Sequence, residues 1–170
     1  MIRFSSLLII AALLIASCSH TYYIVRHAEK DQATGTNNMS ANDPALSEAG
    51  KVRAIVLKDQ LAGKHIRHIY STNTLRTKAT AQPLSEAINV PIQTYGSTDS
   101  LVMMLKKSKG NALVIGHSNT VDDIVNKLCG ETKIPADLGD AQYDNLFIVK
   151  YKGKKITFVR QKYGYPSNPE

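Results

Sequence analysis

The stretch YYIVRHAEK, residues 22–30, begins with an apolar run and continues directly into charged residues. A second stretch, ALVIGHSNT at residues 112–120, repeats this arrangement of a short apolar run followed by a histidine. Apolar runs of this length that are rich in β-branched residues and closed by polar ones predict buried strands. His27 and His117 would then lie at the carboxyl ends of two strands, where open α/β sheets place their ligand crevice.

The remaining sequence alternates between predicted strands and helices. Strands are predicted at residues 21–26, 66–70, 90–95, 112–115, 146–151 and 156–159, and helices at residues 47–62, after Asn73, at 98–108 and from 119 to 130. This alternation up to residue 130 predicts an α/β fold, a three-layer α/β/α sandwich with a mostly parallel sheet. The last two strands flank Lys-Gly-Lys and are predicted to form a hairpin, which gives the sheet an antiparallel end.

The N-terminal residues have the pattern of a signal peptide. A charge at Arg3 is followed by an apolar run and then by small residues before Cys18. The residues before Cys18 resemble a bacterial lipobox, so we predict a signal peptide at 1–17, a lipidated tether at 18–20 and one folded domain at 21–170. The protein would then be an extracytoplasmic, membrane-anchored bacterial lipoprotein, and an ordinary secretory signal with an incidental cysteine is the alternative.

Cysteine content and charge give no indication of a metal site or of nucleic-acid binding. Beyond Cys18 the only cysteine is Cys129, which we expect to be a buried thiol on a helix, and no Cys/His spacing indicates a metal site. The net charge is +7, with lysine clusters at 106–109 and 152–155. These clusters lack interleaved aromatic residues, so nucleic acid is not an expected partner. They fit a solvated surface, or a mildly basic face near anionic lipid or an anionic substrate.

Three kinds of group needed to transfer a phosphoryl group follow predicted strand ends. His27 offers a neutral imidazole nitrogen as nucleophile. The planar guanidinium groups of Arg26 and Arg76 suit a phosphate, because each can hold two oxygens at once. His117 adds a donor, Ser118 adds a hydroxyl, and the helix that follows presents free backbone N–H groups.

The ordered set of these motifs resembles the histidine phosphatase superfamily, which has the phosphoglycerate-mutase-like fold. That family opens with Arg-His-Gly/Ala, matched at residues 26–28, and continues with Ser-Ser/Thr-x-x-x-Arg-x-x-x-Thr-Ala, matched at 71–81. Its Gly-His-Ser/Gly motif is matched at 116–118, and its Pro-Leu-Ser/Thr-x-x-Gly helix opening resembles residues 44–50. The resemblance runs from about residue 21 to 160.

The resemblance implies a role for each matched residue. His27 is phosphorylated transiently, Arg26, Arg76 and His117 hold the phosphoryl group, and neither a metal nor another cofactor takes part. Residues 21–170 would be the catalytic domain of a phosphatase that hydrolyses phosphate monoesters or phosphohistidine. The sequence departs from the family at the general acid, for which we choose Asp99, which follows the third strand. Glu86 and Asp144 are the other carboxylates considered, and a proton supplied by solvent is a further alternative.

The short interval between Arg76 and His117 leaves little room for a lid. We therefore expect an open site whose partner is a phosphorylated small molecule, a glycan or lipid head group, or a protein. An open site and a signal peptide both disfavour a cytoplasmic phosphoglycerate mutase. A non-catalytic lipoprotein of the same fold that binds a phosphate or another anion is the second hypothesis, although binding alone does not require a nucleophile.

Overall fold

The computed structural model describes residues 19–31 and 43–167, so the predicted signal peptide and Cys18 lie outside the described residues. The strands are β1 (Ser19–Arg26), β2 (Ile66–Ser71), β3 (Ile92–Thr94), β4 (Asn111–Gly116), β5 (Asn145–Lys152) and β6 (Lys155–Lys162). The helices are α1 (Glu48–Leu61), α2 (Leu75–Ile88), α3 (Thr98–Lys107) and α4 (Val121–Cys129). None of the helices in the described ranges is long and apolar enough to cross a membrane.

The six strands form one sheet in the order β3-β2-β4-β1-β5-β6. The first four strands of this order pair in parallel, and β5 and β6 are antiparallel to their neighbours. This confirms the mostly parallel sheet with an antiparallel end. Strand β4 lies between β2 and β1 because it is buried along nearly its whole length, whereas the short, half-exposed β3 forms an edge.

Strand β1 separates two hydrophobic cores through the alternation of its side chains. Tyr22 and Ile24 pack with apolar residues of α3 and α4 on one face of the sheet. Tyr23 and Val25 pack with apolar residues of α1 and α2 on the other face. Successive strand residues point to opposite faces, so a continuously apolar strand is the expected sequence of a sheet covered on both sides. The protein therefore has the predicted three layers.

Several element boundaries differ from those predicted. Strand β1 begins at Ser19, so Ser19 and His20 pair with β5 rather than forming a tether. Helix α2 contains Pro83 and continues past it to Ile88. Strand β6 continues to Lys162, three residues past its prediction, although most of its side chains are exposed. Such a strand carries little hydrophobic pattern, because pairing with β5 rather than burial determines its length.

Candidate active site

The sheet brings the two predicted histidines together. Arg26 is the register partner of Gly116 in the parallel pair β1–β4, and the backbone N–H of His27 donates to the carbonyl of Gly116 at 2.9 Å. The carboxyl ends of β1 and β4 are therefore adjacent at the same edge of the sheet. The imidazole rings of His27 and His117 meet with centroids 5.4 Å apart.

The hydrogen bond of His27 selects its tautomer. Nδ1 lies 2.8 Å from the carbonyl oxygen of Ala28, and a carbonyl can only accept, so Nδ1 carries the proton. Burial, together with the nearby charge of Arg26, lowers the pKa of His27 to about 3 against the opposing effect of the Ala28 hydrogen bond. His27 is consequently neutral at physiological pH, and its Nε2 carries a free lone pair.

His117 is the opposite tautomer, with its proton on Nε2. Arg76 donates from Nη2 to Nδ1 of His117 at 3.3 Å, while Nε2 of His117 lies 2.8 Å from the hydroxyl of Thr72. The guanidinium group has no acceptor atom, so Nδ1 accepts and Nε2 donates to Thr72. Burial lowers the pKa of His117, and the charges of Arg76 and Arg26 act in the same direction.

Both arginines are held by protein acceptors and still have unused N–H donors. Arg26 is 3% exposed; its Nη1 donates to the carbonyls of Gly139 and Asp140, each at 2.9 Å. The guanidinium carbon of Arg26 also lies 4.2 Å from the ring centroid of Tyr143. Arg76 donates from Nη1 to the carboxylate of Asp43 at 3.1 Å. Nε of Arg26 and Nε of Arg76 are both buried without a hydrogen-bond partner among the described residues.

A cleft of about 580 Å³ lies over these groups. Its wall is mostly polar, includes three cations and one carboxylate, and consists of Arg26, His27, Lys30, Pro44, Arg76, His117, Ser118, Asn119 and Asp140. Two arginines with unused donors, a lysine and the first residues before α4 can together neutralise an anion with two or more negative charges. The predicted residues His27, Arg26, Arg76, His117 and Ser118 therefore line one cleft.

Asp99 does not reach the cleft, so the choice of Asp99 as proton donor is withdrawn. It lies in the first turn of α3, is largely exposed and pairs with Lys127 at 2.7 Å. Asp144 is buried and paired with Lys162, and exposed Glu86 accepts from Gln82. The prediction for Asp99 is wrong because the residue does not directly follow β3. The last hydrogen bond beyond this strand is made by Tyr95, and Asp99 then lies in the exposed first turn of α3, which Ser97 caps.

One carboxylate of the cleft wall was missed by the sequence analysis. Asp140 lies in the connection between α4 and β5, and its carboxylate is 3.9 Å from Nη2 of Arg26 with 90% of its side chain exposed. The sequence did not indicate Asp140, because it belongs to an irregular segment. Hydrogen bonds from Arg26 to the Gly139 and Asp140 carbonyls, and from the Leu138 N–H to the Ser118 carbonyl, hold this segment at the site. Tyr143, which stacks against Arg26 and lies near His27, was missed for the same reason.

Three further contacts hold the segment after His27 in place. The backbone N–H of Ala28 donates to the hydroxyl of Thr80, which in turn donates to the carbonyl of Arg76. Glu29 accepts from Nε and Nη2 of Arg53 on α1. Gly50 lets α1 approach this segment, because a Cβ there would lie 2.2 Å from the carbonyl oxygen of Glu29. Thr80 and Gly50 belong to the matched motifs, but the sequence alone did not indicate their contacts.

Cys129 is half-buried, and burial raises the pKa of its thiol, as expected for an unreactive cysteine. In the described part of the chain, no three His, Cys, Asp or Glu side chains are grouped so that they could bind a metal ion.

The model of the histidine phosphatase superfamily, branch 1, matches residues 22–97. That range contains Arg26, His27 and Arg76 of the cleft, whereas His117 lies outside it. Over this range, somewhat less than half of the chain, the sequence is similar to the histidine phosphatase superfamily. The resemblance stated from the sequence motifs is thereby confirmed, as is the phosphoglycerate-mutase-like fold.

One known protein is similar in sequence, and two solved structures are similar in fold. Phosphoserine phosphatase 1 of Hydrogenobacter thermophilus is 38% identical over 69 residues, which are 41% of this chain and 33% of that protein. The chain thus matches about a third of the length of this curated relative. The SixA protein of Agrobacterium tumefaciens has the same fold, with a TM-score of 0.63 and 19% identity over 86% of this chain and 98% of the other. A structure of the protein histidine phosphatase SixA complexed with tungstate also has a TM-score of 0.63, with 17% identity over 84% and 96% of the two chains.

Proposed function

We propose that this protein is a metal-independent phosphatase that transfers a phosphoryl group to Nε2 of His27 and then to water. The observation that carries the proposal is the tautomer of His27, whose Nδ1 proton is held by the Ala28 carbonyl. This leaves a nitrogen lone pair beside the cationic cleft. Arg26 and Arg76 supply charge for the equatorial oxygens of the phosphoryl group, which carry the negative charge during transfer.

The same observation favours an enzyme over an anion-binding lipoprotein. A neutral imidazole whose bare Nε2 faces an anion cannot donate a hydrogen bond to it, so His27 contributes nothing favourable to simple binding. A lone pair is what nucleophilic attack on phosphorus requires. A binding module would gain more from a protonated or otherwise donating group at this position.

The reaction has two balanced steps. Nε2 of His27 forms a bond to phosphorus while the bond from phosphorus to the leaving atom breaks, and the leaving group takes its electron pair and a proton. Water then attacks phosphorus, the P–N bond breaks, and inorganic phosphate leaves with neutral His27 restored. Asp140 is the carboxylate of the described cleft wall that can exchange the proton in both steps.

The open cleft favours substrates whose phosphate projects from a larger body. Phosphate monoesters and phosphohistidine both fit this requirement, and the related proteins include a phosphoserine phosphatase and a protein histidine phosphatase.

The experiment that tests the activity is hydrolysis of p-nitrophenyl phosphate by the purified chain with and without EDTA. We expect equal rates, because Arg26 and Arg76 provide the positive charge that a metal would provide elsewhere. Loss of activity in EDTA, with recovery on adding a divalent ion, would contradict the metal-free mechanism.

We also propose that the protein acts outside the cytoplasm and is anchored to a membrane through a lipid on Cys18. The support is the charged, apolar and small-residue pattern of the N-terminal sequence. Cys18→Ser should move the protein from the membrane fraction or block its processing. A wild-type protein that is already soluble after cell fractionation would contradict the anchor.

A further inference from the structure

The fold gathers two lysine clusters, far apart in sequence, at the end of the sheet opposite the active site. We call this surface the basic end; it consists of Arg67, Lys106, Lys107, Lys109, Lys152, Lys154 and Lys155. Helix α3 ends at Lys107, just before β4 begins at Asn111, on the side away from Gly116. Lys152 is the register partner of Ser19 and of Lys155, so the second cluster lies at the same end.

The cations of the basic end are exposed and not neutralised. All seven side chains are exposed, and none forms an ion pair with another described residue. Elsewhere in the described chain, five lysines are paired with carboxylates, Lys51, Lys58, Lys127, Lys133 and Lys162, and four have no ion pair, Lys30, Lys64, Lys78 and Lys150. The basic end is therefore a surface of clustered positive charge, in which no cation is paired with a described carboxylate.

A cavity of about 590 Å³ opens within this surface. Arg67, Lys106, Lys107 and Lys109 line it together with His20 and Ser19, and no carboxylate belongs to its described wall. Ser19 is the first described residue and directly follows Cys18 in the sequence. The chain thus enters the folded domain between the two lysine clusters.

We propose that the basic end lies against an anionic phospholipid bilayer, with lipid phosphates at Arg67 and the lysines around the cavity. The proposal rests on the anchoring at Cys18 proposed above. An anchor one residue before Ser19 holds the two clusters within reach of the lipid phosphates, and lysines close to an anionic surface attract it. Two signals of this kind, an acyl anchor and a basic patch, stabilise membrane attachment better than one.

This orientation places the active site on the side facing away from the membrane. Strand β1 has eight residues between the basic end and Arg26, and at about 3.3 Å per residue it holds the cleft roughly 25 Å from the lipid surface. The open cleft then faces phosphate groups carried by soluble molecules or by other proteins rather than those of the supporting bilayer.

Amine footprinting of the full-length protein tests the proposal. The protein purified from cells is incorporated into vesicles of phosphatidylcholine alone or of phosphatidylcholine with phosphatidylglycerol, then treated with an acetylating reagent and analysed by peptide mass spectrometry. We expect Lys106, Lys107 and Lys154 to react about threefold or more slowly on the anionic vesicles in 0.1 M salt. This protection should disappear in 1 M salt, where the Debye length falls to about 3 Å. Lys51, at the opposite end of the molecule, should react equally in both.

A pair of variants separates a charge effect from a change in folding. Lys106→Gln/Lys107→Gln should reduce the protection of Lys154 on anionic vesicles, whereas the matched variant Lys51→Gln/Lys78→Gln should leave it unchanged. Equal labelling of Lys106, Lys107 and Lys154 on the two vesicle types would overturn the proposal. Protein missing from both vesicle fractions would overturn it together with the anchor, while p-nitrophenyl phosphate hydrolysis in the same samples reports separately on the catalytic proposal.

Discussion

At the scale of single residues, His27 and His117 are chemically different although their rings are in contact. His27 is held neutral with Nε2 bare, and His117 accepts from Arg76 through Nδ1. The bare atom is therefore Nε2 in His27, whereas Nδ1 of His117 already has a donor. In the proposed mechanism His27 is the nucleophile and Arg76 binds the phosphoryl group.

The first prediction separates these roles by substitution. His27→Ala should reduce turnover to background while vanadate still binds within a few fold of the wild-type affinity, because the cationic cleft remains. Arg76→Ala should weaken vanadate binding about 10–100-fold, as expected for loss of a charge-assisted hydrogen bond worth about 1.5–3 kcal/mol. Calorimetric titration with vanadate and steady-state kinetics measure both. Wild-type turnover in His27→Ala would show that another group is the nucleophile.

The second prediction concerns the proton donor. Alkyl alkoxides are strong bases and need a proton as they leave, whereas p-nitrophenolate needs little help. Asp140→Asn should therefore slow an alkyl phosphate by about 10²-fold, the low end of the usual contribution of a general acid, and p-nitrophenyl phosphate by much less. Asp99→Asn is the matched control and should change neither rate. Unchanged alkyl phosphate hydrolysis in Asp140→Asn would leave solvent as the proton source.

At the scale of secondary-structure elements, the site depends on how the segment after β1 is fixed to α1 and α2. Thr80 connects the Ala28 N–H to the carbonyl of Arg76, so one hydroxyl sets the spacing between the nucleophile's segment and the arginine's helix. Arg53 performs the corresponding role for α1 through Glu29 and the carbonyl of Tyr163. Helices α1 and α2 therefore both position the segment that follows His27.

The third prediction follows from the contact of Thr80. Thr80→Val keeps the side-chain shape but leaves the buried Ala28 N–H without an acceptor, which should cost about 1–3 kcal/mol of unfolding free energy. Turnover should also fall, because the Ala28 carbonyl that holds His27 is no longer fixed. Thr80→Ser retains the hydroxyl and should recover most of the activity. Urea unfolding and kinetics of the two variants check this, and equal turnover in Thr80→Val and Thr80→Ser would contradict the positioning role.

Element positions were predictable where hydrophobic pattern and capping agree. Strand β4 and helix α4 carry clear apolar patterns. Ser47 caps the start of α1 and Gly130 the end of α4, at limits of the predicted ranges 47–62 and 119–130. The site residues within motifs were predictable for the same reason, since each follows a buried strand or opens a helix. Asp140 and Tyr143 were not, because they lie in an irregular segment without periodicity, and hydrogen bonds to Arg26 and Ser118 bring that segment to the cleft.

At the scale of the whole molecule, the buried neutral state of His27 links the site to stability. Burial lowers the pKa of His27 to about 3 in the folded protein, while the unfolded chain has an ordinary histidine pKa of about 6.5. Below pH 6.5 the unfolded state binds a proton that the folded state does not, so the unfolding free energy decreases as the pH falls toward 3. His117 acts in the same direction, since burial also lowers its pKa.

The fourth prediction is that His27→Asn reduces this loss of stability in acid. The decrease in unfolding free energy between pH 7 and pH 5 should be smaller in the variant by about 1–2 kcal/mol, from 1.36 kcal/mol for each pKa unit. Asparagine can still donate to the Ala28 carbonyl, so the comparison isolates the titrating group. Urea unfolding at the two pH values provides the measurement, and parallel pH profiles of variant and wild type would contradict the burial of a neutral His27.

The central claim is that His27 carries the phosphoryl group during turnover, and trapping the intermediate tests it most directly. The enzyme is mixed rapidly with substrate, quenched in alkali where a phosphorylated histidine survives, digested and analysed by mass spectrometry. The account predicts one phosphoryl group on the peptide that contains His27, lost on acid treatment and absent from His27→Ala. Phosphorylation of His117 or of another residue, or turnover in which no phosphorylated peptide forms before product appears, would contradict it.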